Sequence, residues 1–135
     1  MSKWHVSAVA CTLAALTAFA PSADAKPSKG DHSHGGTSRS CLTSDARSLL
    51  NRIESRFGRV DIVSTCRPGA KIGGSGRPSR HASGNAIDFN APRGKKGEIV
   101  RWLVANHHSG GTMTYSGMSH IHVDIGYHFV SLASR

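Results

Sequence analysis

His120-Ile121-His122-Val123-Asp124-Ile125 alternates polar and apolar side chains over six residues. A period of two marks a strand with one face on a core and the other free. Ile121, Val123 and Ile125 take the core face. His120, His122 and Asp124 then stand in a row on the opposite face, with about 7 Å between alternate Cα positions. A slip of one residue would bury the polar row, so the apolar residues fix the register. Ala86-Ile87-Asp88-Phe89-Asn90 reads the same way, with Ile87 and Phe89 inward and Asp88 outward. Gly84 and Ala86 are small, which lets the backbone run close to a neighbour or a ligand.

Outward from these strands, Thr112 to Tyr115 is expected to pair antiparallel with His120 to Ile125. Thr43 or Ser44 can cap a helix running to about Phe57, with Leu49, Leu50, Ile53 and Phe57 on one stripe and Gly58 as a stop. Val60 to Thr65 reads as a strand. Glu98 to His107 reads as a second helix, with Ile99, Val100, Leu103 and Val104 toward the core. The order helix, strand, strand, helix, strand, strand predicts a small single α+β domain, a central antiparallel sheet with helices packed on one side. Residues 67–80 form a Gly- and Pro-rich loop long enough to be functional. Gly73, Gly74 and Gly76 lack the strand-to-helix setting of a phosphate loop. Trp102 and Tyr115 read as packing residues, and His107 and His108 as partners of a helix dipole.

The chain begins with Lys3, an apolar stretch from Val6 to Ala20, and Ala23-Asp24-Ala25. That is the pattern of an export signal covering residues 1–25, too short for a stable membrane anchor. Residues 26–40 are Gly-, Ser-, Pro-, Lys- and His-rich and read as a flexible linker. Residues 41–135 are then the domain, expected to be a monomer in the periplasm or outside the cell. Cys11 lies in the leader, and the remaining pair, Cys41 and Cys66, is expected to form a disulfide in an oxidising compartment. The net charge of +9 at pH 7 calls for an anionic partner. Export favours an anionic envelope polymer over nucleic acid, and the few aromatics give single strands little to stack on.

Two histidines and a carboxylate are a ligand set of catalytic zinc, which keeps a fourth position open. Ser79, His81, Gly84, Ala86 and Asp88 spell S-x-H-x-x-G-x-A-x-D, followed downstream by the H-x-H of His120 and His122. This two-part motif resembles the zinc D-alanyl-D-alanine carboxypeptidases and related peptidoglycan endopeptidases. That group shares a fold with lysostaphin-type peptidases and the hedgehog signalling domain. The resemblance spans about residues 60–126. It implies Zn²⁺ held by His81, Asp88 and His122, with His120 beside the open position. His120 would take a proton from water or stabilise the oxyanion, then protonate the leaving amine. Arg67 resembles the family's substrate-binding and carbonyl-polarising arginine. Ser79 fits a substrate-contacting or orienting role. Asp124, on the same strand face, is placed to fix an imidazole tautomer. Several relatives carry a glutamate three residues before the last metal histidine; Ser119 stands there in this chain. Proton transfer then falls to His120. The expectation is an exported zinc metallopeptidase acting on peptidoglycan stem peptides, as carboxypeptidase or endopeptidase. A zinc-containing peptidoglycan-binding module without catalysis is the alternative.

Overall fold

The computed structural model describes residues 36–133. The expected leader over 1–25, and residues 26–35 of the expected linker, lie outside the described residues. Two helices, α1 (Ser44–Phe57) and α2 (Lys96–Asn106), accompany five strands: β1 (Asp61–Ser64), β2 (Ala86–Asn90), β3 (Gly111–Thr114), β4 (Ile121–Asp124) and β5 (Phe129–Ser131). A single 3-10 turn covers Arg80–Ser83.

The α1 cap is Thr43, whose Oγ1 accepts the Ala46 N–H and donates to Asn85 Oδ1. One cap thus starts the helix and ties it to the segment leading into β2. Gly58 closes the helix, its N–H bonded to the Glu54 carbonyl. Ala46, Leu49, Leu50 and Ile53 bury one stripe of α1. They meet Ile99 and Leu103 of α2 and Ile87, Phe89, Ile121 and Val123 of the sheet in one core cluster. Both helices therefore cover one sheet face, and the other face is left for chemistry. The core stripe of α2 is narrower than expected: Val100 is half-buried and Val104 exposed. Trp102 packs at the margin of the core, edge-on to Phe57 at 5.8 Å.

The strand order is β1-β2-β4-β3-β5. The first four strands pair antiparallel, but β5 runs parallel to β3, so the sheet is mixed. The fifth strand was not expected. Its three residues are all exposed, so it carries no alternation to read. The start of α2 at Lys96 was also hidden, because Lys95 caps it without a side-chain hydrogen bond. Among the described residues no helix is long and apolar enough to cross a membrane.

Cys41 and Cys66 form a disulfide, with their Cα atoms 6.2 Å apart. It joins a residue two before the α1 cap to a residue two after the end of β1. Gly84 sits against this staple with φ +70°, and a Cβ there would lie 2.5 Å from the Cys41 carbonyl oxygen. Residues 36–40, within the segment expected as a linker, are bonded to the domain. Gly36 exchanges backbone bonds with Thr65 and Cys66, and Arg39 forks onto the Glu54 carboxylate.

Candidate metal centre

The antiparallel register of β2 on β4 sets Asp88 directly opposite His122, and Ala86 opposite Asp124. Cross-strand partners have Cβ atoms about 4.5–5.5 Å apart on the same face. The apolar residues between them fix that register, so the carboxylate and the imidazole must meet. His81 arrives from the 3-10 turn. Ser79 Oγ accepts the His81 N–H, and Gly84 ends the turn in the left-handed region. The Arg67 N–H bonds the His81 carbonyl at 2.9 Å, which holds the turn against the end of β1.

All three side chains are buried. His81 Nε2 lies 3.2 Å from Asp88 Oδ2 and 3.3 Å from His122 Nδ1. His122 Nδ1 lies 2.8 Å from Asp88 Oδ1. Ligands bonded at about 2.0–2.1 Å in a tetrahedron stand about 3.3 Å from one another. The two spacings from His81 are of that size, and the His122–Asp88 contact at 2.8 Å is shorter, as a direct hydrogen bond is. The outer nitrogens are already committed. His81 Nδ1–H donates to the Thr65 carbonyl, and His122 Nε2–H donates to Asp124 Oδ2 at 3.2 Å. Each ring therefore turns its other nitrogen inward. The chemistry and spacing of this donor set fit a divalent ion such as zinc.

The charges reinforce the geometry. Burial works against the charged form of His122, but hydrogen bonds to Asp124 and Asp88 outweigh it and push the imidazole up to about 9. Burial also opposes the charge on Asp88, yet hydrogen bonds from His122 and His81 hold that carboxyl well below the usual range. Asp124 is depressed for the same kind of reason: bonds from His122 and the Gly111 N–H overcome its burial. Without a metal, the cluster is a compact ion-pair network whose central proton a cation must displace.

A cavity of about 760 Å³ opens over this face. Arg67, Ser79, His81, His122 and Asp124 all contribute to its lining. Arg67 is half-exposed, 3.9 Å from Asp88 Oδ2, and keeps most of its donors for a ligand. His120 is placed differently. It directly precedes β4, is half-buried, and is absent from the cavity lining. Its ring lies 5.2 Å from that of Tyr115, which does line the cavity. Ser119 Oγ donates to Asn90 Oδ1, away from the three-residue group.

Several lining residues were missed in the sequence. Tyr115 reads as a packing residue but faces the cavity, and burial followed by the charge of Asp88 raises its phenol, which stays protonated. The register held the signal: Met113 pairs with His122, so residue 115 falls on the same face. Lys71, Arg77 and Arg80 line the cavity from the 67–80 loop, and Tyr127 and Phe129 from the last segment. His107 does not act as a charged partner of the α2 dipole. Its ring is buried, burial lowers its pKa, and Nε2–H donates to the Asp124 carbonyl at 2.8 Å.

Comparison with known families bears directly on this arrangement. The model of the Peptidase M15 family matches residues 25–124, a span that holds both helices, β1 to β4 and every residue of the three-ligand group. Neither curated proteins nor solved structures show a match to the chain.

Proposed function

The chain belongs to the peptidase M15 family, and we propose that it is an exported zinc metallopeptidase that hydrolyses peptide bonds in peptidoglycan stem peptides. The observation that carries this reading is the convergence of His81 Nε2, Asp88 and His122 Nδ1 with their outer nitrogens already bonded. M15 peptidases are zinc enzymes. A zinc ion held by these three would polarise the scissile carbonyl and acidify water. Arg67 is the group for a substrate carboxylate or carbonyl, being half-exposed at the cavity wall. Ser79 holds the His81 turn and presents its hydroxyl to the same space. His120 is the proton carrier that the sequence offers; it stands outside the cavity lining, with its ring 5.2 Å from that of Tyr115, which does line it. Asp124 keeps His122 in one orientation.

The cleaved bond is either a terminal D-alanine linkage or a cross-bridge. Purified protein is expected to hold about one zinc per chain and to release fragments from purified murein. His81→Ala and His122→Ala are each expected to lose both properties. Protein that holds no stoichiometric metal, with variants that match the wild type, sinks the proposal. Mass spectrometry of the fragments assigns carboxypeptidase or endopeptidase.

One observation favours a second reading, a zinc-containing module that binds peptidoglycan without cutting it. Ser119 occupies the glutamate position of relatives and is engaged by Asn90, while His120 leans on Tyr115. That reading expects zinc and murein binding with no new amine termini. Zinc-dependent release of fragments ends it. In either reading the leader over 1–25 would direct the chain to the periplasm or the exterior. The +9 charge would hold it near anionic envelope polymer.

A further inference from the structure

The three-ligand group and Arg67 account for one end of the cavity. The rest of its wall has a marked character. Lys71, Arg77 and Arg80 bring three more cations to the lining, and Asp124 is the single acidic residue there among the described residues. Asp124 makes no ion pair with any of them, although Arg80 lies near enough for its charge to act on the carboxylate. Asp124 Oδ1 accepts the Gly111 N–H and its Oδ2 accepts from His122. Among the described residues, the side chains of Lys71, Arg77 and Arg80 make no hydrogen bond or ion pair.

These cations stand on a framed segment. Lys71 bridges Pro78, the Ile72 N–H bonds the Arg77 carbonyl at 2.8 Å, and the Ser79 N–H bonds the Ala70 carbonyl at 2.8 Å. The 67–80 loop is thus a hydrogen-bonded hairpin along one wall. Arg80 is set by packing. Its guanidinium lies over Gly126, where a Cβ would come within 2.4 Å of a terminal nitrogen. Met113, Tyr127 and Phe129 add apolar surface to the lining. Unpaired guanidinium groups in a partly enclosed cavity attract carboxylates with fixed planar donors.

We propose that Arg77 and Arg80, with Lys71, form a second carboxylate subsite, so that the preferred ligand is a peptide with a side-chain or branch carboxylate in addition to the group taken by Arg67. The apolar lining residues Met113, Tyr127 and Phe129 then receive the small aliphatic side chains of the same ligand. The identity of the ligand as a peptide rests on the peptidase reading above; the demand for a second carboxylate rests on the unpaired cations.

The test uses the full zinc-loaded chain and two synthetic pentapeptides that differ only in one interior carboxylate or its carboxamide. A charge-assisted bond to arginine is worth about 1.5–3 kcal/mol, so kcat/KM should favour the carboxylate at least about tenfold. In Arg77→Gln/Arg80→Gln the ratio should fall toward one, while Arg101→Gln, on α2, keeps it. Equal use of the two peptides by the wild type overturns the subsite, as does an unchanged ratio in the double variant. Should the Arg80 change impair folding, Lys71→Gln/Arg77→Gln, both exposed on the hairpin, must lower the ratio or the subsite is overturned. If neither peptide is cut, the peptidase reading fails, and calorimetry with the same two peptides decides the subsite. Tighter binding of the carboxylate form supports it, and equal Kd values overturn it.

Discussion

At His122 two carboxylates meet one imidazole, Asp88 at Nδ1 and Asp124 at Nε2. The first faces His81 and the second faces away from it, so removal of each has a different effect. Asp124→Asn keeps the shape but replaces a carboxylate acceptor with an amide. Loss of such an outer partner typically costs about 10–100-fold in metal affinity. That loss is the expected result in a competition titration against a chromophoric zinc chelator; an unchanged affinity removes Asp124 from the positioning role. The proton on His122 makes a second prediction. With its pKa pushed up to about 9, zinc must displace a proton at neutral pH. Apparent zinc affinity should therefore rise about tenfold per pH unit up to about 9 and then level off. Stability without metal runs the other way. A raised histidine stabilises fully below its unfolded value of about 6.5, and that contribution is lost as pH climbs toward 9. Asp88, held low, contributes above about 3.9 and loses its contribution as pH falls below that. The two belong to one ion pair, so the metal-free protein should melt highest between about pH 4 and 6.5. A melting temperature that rises from pH 6.5 to 9 contradicts this.

The elements that position the site differ in how plainly the sequence announces them. The span of β2 matches its alternation of residue types, and α1 matches its stripe and cap, because each sets apolar side chains against a core; β2 is buried on its polar face as well, from Ala86 to Phe89. The 3-10 turn that carries His81 has no periodicity to read. Its shape comes from Ser79 below and Gly84 above, and from the Arg67 N–H across the loop. β5 is equally silent, since its residues are all exposed and its pairing depends on β3 rather than on its own pattern. The ligand types were legible as a spacing, but the closure of the cavity by Lys71, Arg77, Arg80 and Tyr115 depends on tertiary placement. Gly84 is where the turn and the fold meet. At φ +70° a left-handed residue with a side chain costs about 1–2 kcal/mol, before its Cβ presses on the Cys41 carbonyl. Gly84→Ala should therefore lose more than about 1–2 kcal/mol in urea unfolding and also weaken zinc binding, because the turn holding His81 must shift. Wild-type stability and affinity in that variant would show that the turn tolerates the change.

On the scale of the whole molecule, one sheet serves two purposes. One face takes both helices and the apolar cluster, and the other carries the metal group and a cavity with basic and apolar lining residues. A domain this small has little stability in reserve, since folding free energies are only about 0.05–0.15 kcal/mol per residue. The disulfide is then a large contributor. Cys41 and Cys66 are 25 residues apart, and a cross-link of that span is worth about 3 kcal/mol by restricting the unfolded chain. That mechanism separates it from Gly84. A cross-link that acts on the unfolded chain alters the folding equilibrium while leaving the folded site much as it was. Cys41→Ser/Cys66→Ser should lose about 3 kcal/mol in urea unfolding, yet its folded fraction should bind zinc within about threefold of the wild type. Gly84→Ala, which alters the native turn itself, should lose both. The two variants compared at matched folded fraction therefore show whether the staple acts on the unfolded chain or on the site. A folded disulfide-free variant with zinc affinity as low as that of Gly84→Ala would mean that the Cys41–Cys66 bond shapes the His81 turn directly.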